Sequence, residues 1–122
     1  MRWLIDGYNV INRAPGLVGR GTDDRQALLN MLANAAQRAP RDHFTVVFDG
    51  QRGGSRAVAA AGITVVYSSA KETADGTIRR LAGAGTTVVS DDREVCDGAA
   101  RAGARTMSVR NFVERLRGRH RR

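Results

Sequence analysis

Short apolar runs alternate with longer stretches of helical periodicity along this chain. Residues 2–5 read as a first strand ending at Asp6-Gly7. Thr22 can N-cap a helix, with Asp23 and Asp24 in its first turn, where the helix dipole favours acids. Leu28, Met31, Leu32, Ala35 and Ala36 then keep the i, i+3, i+4 spacing of one apolar face, and Pro40 stops the helix. Residues 44–48, β-branched and aromatic, form a second strand ending at Asp49-Gly50, and Ile63–Tyr67 a third. Thr73 or a neighbour opens a short helix carrying Ile78 and Leu81, closed by Gly83 and Gly85. Thr86–Val89 is a fourth strand, running into Ser90-Asp91-Asp92. A helix from about Arg93 to Arg101 stops at Gly103, and Arg105–Met107 is a short fifth strand. Ser108 can N-cap a last helix with Phe112, Val113 and Leu116 on one side.

Strands that alternate with helices and are continuously apolar imply a parallel sheet covered on both faces. The predicted architecture is therefore α/β: three layers, with a central parallel sheet of about five strands. A length of 122 residues fits one domain, here 1–117, followed by a basic tail at 118–122. No apolar run is long enough to cross a bilayer, and the first apolar stretch breaks at Asp6, too early for a signal peptide. The single cysteine, Cys96, allows no intramolecular disulfide. A cytoplasmic location is the expectation.

Charge sharpens the picture. The formal net charge is +8, and residues 110–122 supply +5 of it through six arginines against Glu114. Such a basic end suggests a polyanionic partner, nucleic acid foremost. The competing origin is compositional, because arginine outnumbers lysine 19 to 1 and the chain is rich in alanine and glycine.

Three predicted strands end in acids: Asp6, Asp49, and the pair Asp91-Asp92. In an open parallel sheet the carboxyl ends share one edge, and that edge holds the ligand crevice. Asp75, early in the helix after the third strand, can reach the same rim. Carboxylates gathered at neutral pH repel one another unless something compensates. Mg²⁺ or Mn²⁺, hard ions that favour oxygen ligands, are the usual provision, and they can activate water and offset phosphate charge. The scarcity of Cys and His argues against zinc. Each acid also has a plainer role: Asp6 and Asp49 as turn residues, Asp75 as a first-turn acid, Asp92 as an N-cap.

The motifs that carry this chemistry resemble the NYN domain, most closely its YacP-like branch within the PIN-like nuclease superfamily. They are Asp6-Gly7-Tyr8-Asn9-Val10-Ile11, Val47-Phe48-Asp49-Gly50, Glu72-Thr73-Ala74-Asp75 and Val88-Val89-Ser90-Asp91-Asp92-Arg93-Glu94. They occur in order from about residue 2 to 117. The resemblance implies a PIN-like fold and a metal-dependent endoribonuclease that cleaves single-stranded RNA by attack of activated water on a phosphodiester. Some relatives act on messenger RNA at the ribosome, so RNA is the implied partner and the ribosome a further one. By matching position, Asp6, Asp49, Asp75 and Asp92 are the implied catalytic acids, with Asp6, Asp75 and Asp92 on the metal. Asn9, on the loop after the first strand, is an implied polar partner. Asp92 rather than Asp91 matches the acid that directly precedes Arg-Glu; Asp91 falls among the supporting polar groups. Relatives usually follow their Glu-Thr-Ala-Asp motif with an acidic and then a basic residue, whereas Gly76 and Thr77 stand here. The chain is also short between Asp49 and Ile63.

Other residues fit this scheme in two ways. Arg52 and Arg56 flank Gly53-Gly54-Ser55 beyond Asp49, and Arg13 and Arg20 lie in the loop after the first strand. They can grip RNA phosphates or belong to ordinary surface loops. Ser90 can bond a metal ligand or a phosphate, or cap a helix. Tyr8 can stack on a base, though packing beneath the rim suits it better. Trp3 and Cys96 read as core, His43 as exposed. Two other functions compete: an RNA- or ribosome-binding module that keeps the nuclease fold with little catalysis, and a phosphatase-like hydrolase. The latter lacks an Asp-x-Asp pair, since position 8 is Tyr.

Overall fold

The computed structural model describes residues 1–14, 24–50, 56–69 and 72–117, and of 56–60 the backbone only. The expected cap at Thr22, together with Arg20, Arg52 and the 118–122 tail, lies outside the described residues. The elements run β1 (Arg2–Asp6), α1 (Gly7–Arg13), α2 (Asp24–Arg38), β2 (His43–Phe48), β3 (Arg56–Ala60), β4 (Ile63–Tyr67), α3 (Ala74–Leu81), β5 (Thr86–Val89), α4 (Arg93–Arg101), β6 (Arg105–Met107) and α5 (Val109–Leu116).

One sheet has the order β3-β4-β2-β1-β5-β6. Five of these strands are parallel, as expected, and β3 joins β4 antiparallel as a sixth. Gly62, at φ +82°, supplies the left-handed turn of that hairpin. The register of β3 shifts between Val58 and Ala60, and β6, at the other edge, has only three residues. The β3 segment carries Val58 as its sole β-branched residue, too little to announce a strand.

Side chains alternate between two faces, as strand geometry requires. Trp3, Ile5, Phe44, Val46, Phe48, Ile63, Val65 and Val89 pack with Val10, Ile11, Leu28, Leu32, Phe112 and Leu116 of α1, α2 and α5. Leu4, Val47, Val66 and Val88 pack with Ile78, Val95 and Ala99 of α3 and α4. Both faces are thus covered, and β1 and β2 are apolar on each.

The expected loop after β1 is a helix instead, so Asn9 and Arg13 sit on α1. Gly7, Val10, Ile11 and Ala14 carry the helical spacing that marks it. Gly7 lets the helix start hard against the sheet: a Cβ there would come within 2.5 Å of the Phe48 ring.

The amino edge of the sheet is closed by polar pairs. The Asp42 carboxylate accepts from the Met1 amino group at 3.0 Å and from Trp3 Nε1 at 3.3 Å. Arg38 donates to the Leu116 carbonyl at the end of α5, and the Arg115 guanidinium lies 5.4 Å over the Trp3 ring. His43 Nε2 shares a 3.0 Å hydrogen bond with Thr64 Oγ1.

Candidate active site

The chain order reverses beside β1: it passes through β2 and β4 on one side, then crosses to β5 on the other. The carboxyl ends of β1 and β5 therefore part at a topological switch point, where open α/β sheets bind ligands. Asp6 ends β1, and Ser90-Asp91-Asp92 follow β5. Both helices after these turns, α1 and α4, point their N-termini at the gap.

Ser90 organises the gap. Buried to 2% exposure, it donates through Oγ to Asp6 Oδ2 at 2.9 Å and accepts the Asp92 N–H at 3.0 Å. Asp92 N-caps α4, its Oδ1 accepting from the Glu94 and Val95 N–H groups at 2.9 and 3.4 Å. The cap uses one oxygen and leaves Oδ2 for a ligand, so the plainer role and the chemical one coexist in the same side chain. Asn9 Oδ1 accepts the Asp91 N–H at 2.8 Å, and Asp91 Oδ1 accepts the Val109 N–H at 3.0 Å. Asp91 is thus tied to the start of α5, a fixed charge at a helix N-terminus.

The electrostatics mark Asp6. Burial pushes its carboxyl above the ordinary 3.8, the Ser90 hydroxyl pulls it back, the Asp92 charge raises it, the Asn9 N–H lowers it, and Asp75 raises it again. The net direction is upward. Asp75 stands in the first turn of α3, whose Thr73 cap accepts the Gly76 N–H at 3.1 Å. Its Oδ1 is buried and has no hydrogen-bond partner. A buried carboxylate oxygen left without a donor is costly, and a cation is the partner that would satisfy it.

Asp49 lies two residues further along β2 than the level of Asp6, since Asp6 pairs with Val47. Its Oδ1 accepts from Ser68 Oγ at 2.9 Å, and the Ser68 hydroxyl in turn accepts the Gly50 N–H at 3.2 Å. The charges that raise Asp6 are those of Asp92 and Asp75; Asp49 is held separately. Ser68 was not singled out by the sequence. It repeats the Ser90 device one strand pair away: a serine just past a strand gives its hydroxyl to the Asp of the parallel neighbour. An apolar run ending in Ser, at Val66-Tyr67-Ser68 as at Val88-Val89-Ser90, is the signal.

The Gly76-Thr77 departure has a local cause. Thr77 is buried and donates to Glu72 Oε1 at 2.9 Å, and Arg80 pairs with the same carboxylate at 3.0 Å. Glu72 is thereby engaged away from the gap. Cys96 donates Sγ–H to the Ser90 carbonyl, and burial, with Asp91 and Asp92 behind it, pushes its thiol up, which keeps it unreactive. Tyr8 packs against the Phe48 ring at a 5.1 Å centroid distance yet keeps 37% of its surface exposed, more open than packing alone would leave it. Arg13 is exposed on the last turn of α1; Arg56 lies on β3, not in a loop.

Among the described residues, no three Asp, Glu, His or Cys side chains stand close enough to hold an ion by themselves. An ion here would take one or two of the Asp6, Asp75 and Asp92 carboxylates, with water and substrate phosphate completing the shell, as Mg²⁺ commonly does. A cleft of about 910 Å³ opens at the amino edge beside Trp3, Arg38 and Arg115, and none of the rim acids lines it. Charge and one unsatisfied oxygen, rather than volume, pick out the carboxyl rim.

The profile of the YacP-like NYN domain matches residues 3–122. The chain belongs to this family. Membership places it among nuclease-like, RNA-related domains. Two solved structures of the Rae1 (YacP) protein from Bacillus subtilis, one of them a single-substitution variant, share its fold. Each superposes with a TM-score of 0.71 at 22% identity, covering 96% of this chain and 74% of the other. No curated protein sequence matches the chain. Among the described residues no helix is long and apolar enough to cross a membrane.

Proposed function

We propose that this YacP-like NYN domain is a metal-dependent endoribonuclease acting on single-stranded RNA, with Asp6, Asp75 and Asp92 holding Mg²⁺ or Mn²⁺. The observation that carries the proposal is the buried, unpartnered Oδ1 of Asp75, with an Asp6 nearby whose pKa burial, then the Asp92 and Asp75 charges, raise. A divalent ion bound there would lower the pKa of a water and offset charge on the phosphodiester. The protein's own part is positional. Ser90 fixes the rotamer of Asp6, the α4 cap fixes that of Asp92, and Asn9 and Asp91 hold the turn between them. Asp49, oriented by Ser68, stands where it can accept a proton or align a water. Tyr8 offers an exposed ring to a base, the usual way single strands are held. Messenger RNA is the substrate and the ribosome the setting that the family suggests.

Cleavage of a single-stranded RNA in Mn²⁺ or Mg²⁺, lost in EDTA and in Asp92→Asn, is the expected result. Asn is also a good N-cap, so the variant should keep its helix. Equal cleavage by the variant, or by EDTA-treated protein, would overturn the reading. A second reading, an RNA-binding module with little catalysis, draws on the absence of three ready-converged ligands among the described residues. Calorimetry separates the two: salt-sensitive RNA binding without measurable Mn²⁺ binding favours the module.

A further inference from the structure

Three carboxylates at the rim repel the phosphates of the substrate proposed for them, so a cation of the protein's own should stand nearby. Arg79 occupies that place. It lies four residues beyond Asp75 on α3, on the same helix face. Helical side chains lean toward the N-terminus, which here means toward the rim. The Arg79 stem crosses onto α4, where Gly98 is buried: a Cβ at Gly98 would meet Arg79 Cδ at 2.5 Å and Cγ at 2.7 Å. Gly98 is therefore the notch in which the stem rests. The guanidinium Nη2 ends 3.9 Å from where a Cβ on Gly76 would stand, in the turn that carries Asp75.

Its neighbour Arg80 is spent on Glu72 through hydrogen bonds at 3.0 to 3.3 Å. Arg79 has no ion pair or hydrogen bond among the described residues, and it is exposed. A stem seated on Gly98 of α4, with an unengaged head near Gly76 in the turn that bears Asp75, is the arrangement of a ligand contact.

We propose that Arg79 binds a backbone phosphate of the RNA and holds the strand against the rim. The inference rests on the reading above. Guanidinium matches phosphate in shape and charge, and two parallel N–H donors can engage it.

The test measures binding of a fluorescent single-stranded RNA to the full chain in EDTA across a salt series, apart from any cleavage. Arg79→Met keeps the stem in the Gly98 notch and removes the charge; Arg80→Ala is the control of equal net charge. Arg79→Met should weaken binding about tenfold, the worth of one charged hydrogen-bonded contact, and lower the salt slope by about one phosphate. Arg80→Ala should change neither by a comparable amount. Wild-type affinity and slope in Arg79→Met, with cleavage in Mn²⁺ intact, would overturn this inference alone. Weakened binding in Arg79→Met by a chain that never cleaves would support the contact and sink the nuclease reading. A wild-type chain that binds no RNA would overturn both.

Discussion

The two ends of this sheet use the same residue types to opposite effect. At the amino edge every named charge has a partner of complementary character. Asp42 takes the Met1 amine and the Trp3 indole, Arg38 takes the last carbonyl of α5, and Arg115 lies on the Trp3 ring. At the carboxyl rim, burial first, then the Asp92 and Asp75 charges, raise the pKa of Asp6, and Asp75 Oδ1 has no hydrogen-bond partner among the described residues. Favourable pairing closes one end and holds it together. At the other, burial and like charge raise the Asp6 pKa against the Ser90 and Asn9 hydrogen bonds that lower it. A sizeable cleft sits at the satisfied end, which warns against reading function from volume.

The largest effect should come from the closed end. Trp3 is 2% exposed and packs against Phe44, Phe112 and Arg115. Trp3→Ala should cost about 3–5 kcal/mol of stability in denaturant melts, the usual range for a buried aromatic, a large share of what a domain this size has. If the two ends do separate structure from chemistry, this loss should leave the metal affinity of the remaining folded protein nearly unchanged.

A middling effect is expected from the two serines. Ser90→Ala releases Asp6 and the Asp92 N–H together and should weaken Mn²⁺ binding by about 10–100-fold, as loss of a ligand's supporting partner does. Ser68→Ala releases only Asp49 and should weaken it less than about tenfold by the same reasoning. Equal losses in the two variants would place Asp49 on the ion and redraw the site.

The smallest effect tests the burial and crowding of Asp6. A carboxyl with a raised pKa is bound to its proton more tightly in the folded chain than in the unfolded one. Its contribution is fully present below about 3.8 and is lost as pH rises through the higher folded value. In EDTA at pH 7, Asp6→Asn should therefore raise the melting temperature, and the gain should shrink as pH falls toward 4. Added Mn²⁺ should reverse the order by stabilising only the wild type. A variant that melts below the wild type at pH 7 without metal would show that the Ser90 hydrogen bond outweighs the crowding.

Much of the fold was legible because the parallel strands are apolar on both faces and their helices carry clear caps. Ser108 does accept the Asn111 N–H, and Thr73 the Gly76 N–H. What escaped was local context. Asp6-Gly7 looks like a turn, yet Gly7 is there for its closeness to Phe48, and α1 starts at once. The β3 strand, poor in β-branched residues, gains its structure from pairing with β4 rather than from propensity. The acids were legible as a group because strand ends share an edge. Their different duties were not, since these depend on partners distant in sequence: Ser68 for Asp49, and Val109 and Asn9 for Asp91.

The sheet's borders have a bearing on how copies of the chain meet. An unpaired strand edge is a template for another molecule's strand, and natural proteins blunt it. Here β6 offers only three residues, and the register of β3 against its neighbour breaks between Val58 and Ala60. Neither border presents a long, straight row of free backbone groups. Self-association through sheet extension is disfavoured from both sides, so a concentrated sample should resist the ribbon-like aggregation that exposed parallel sheets invite.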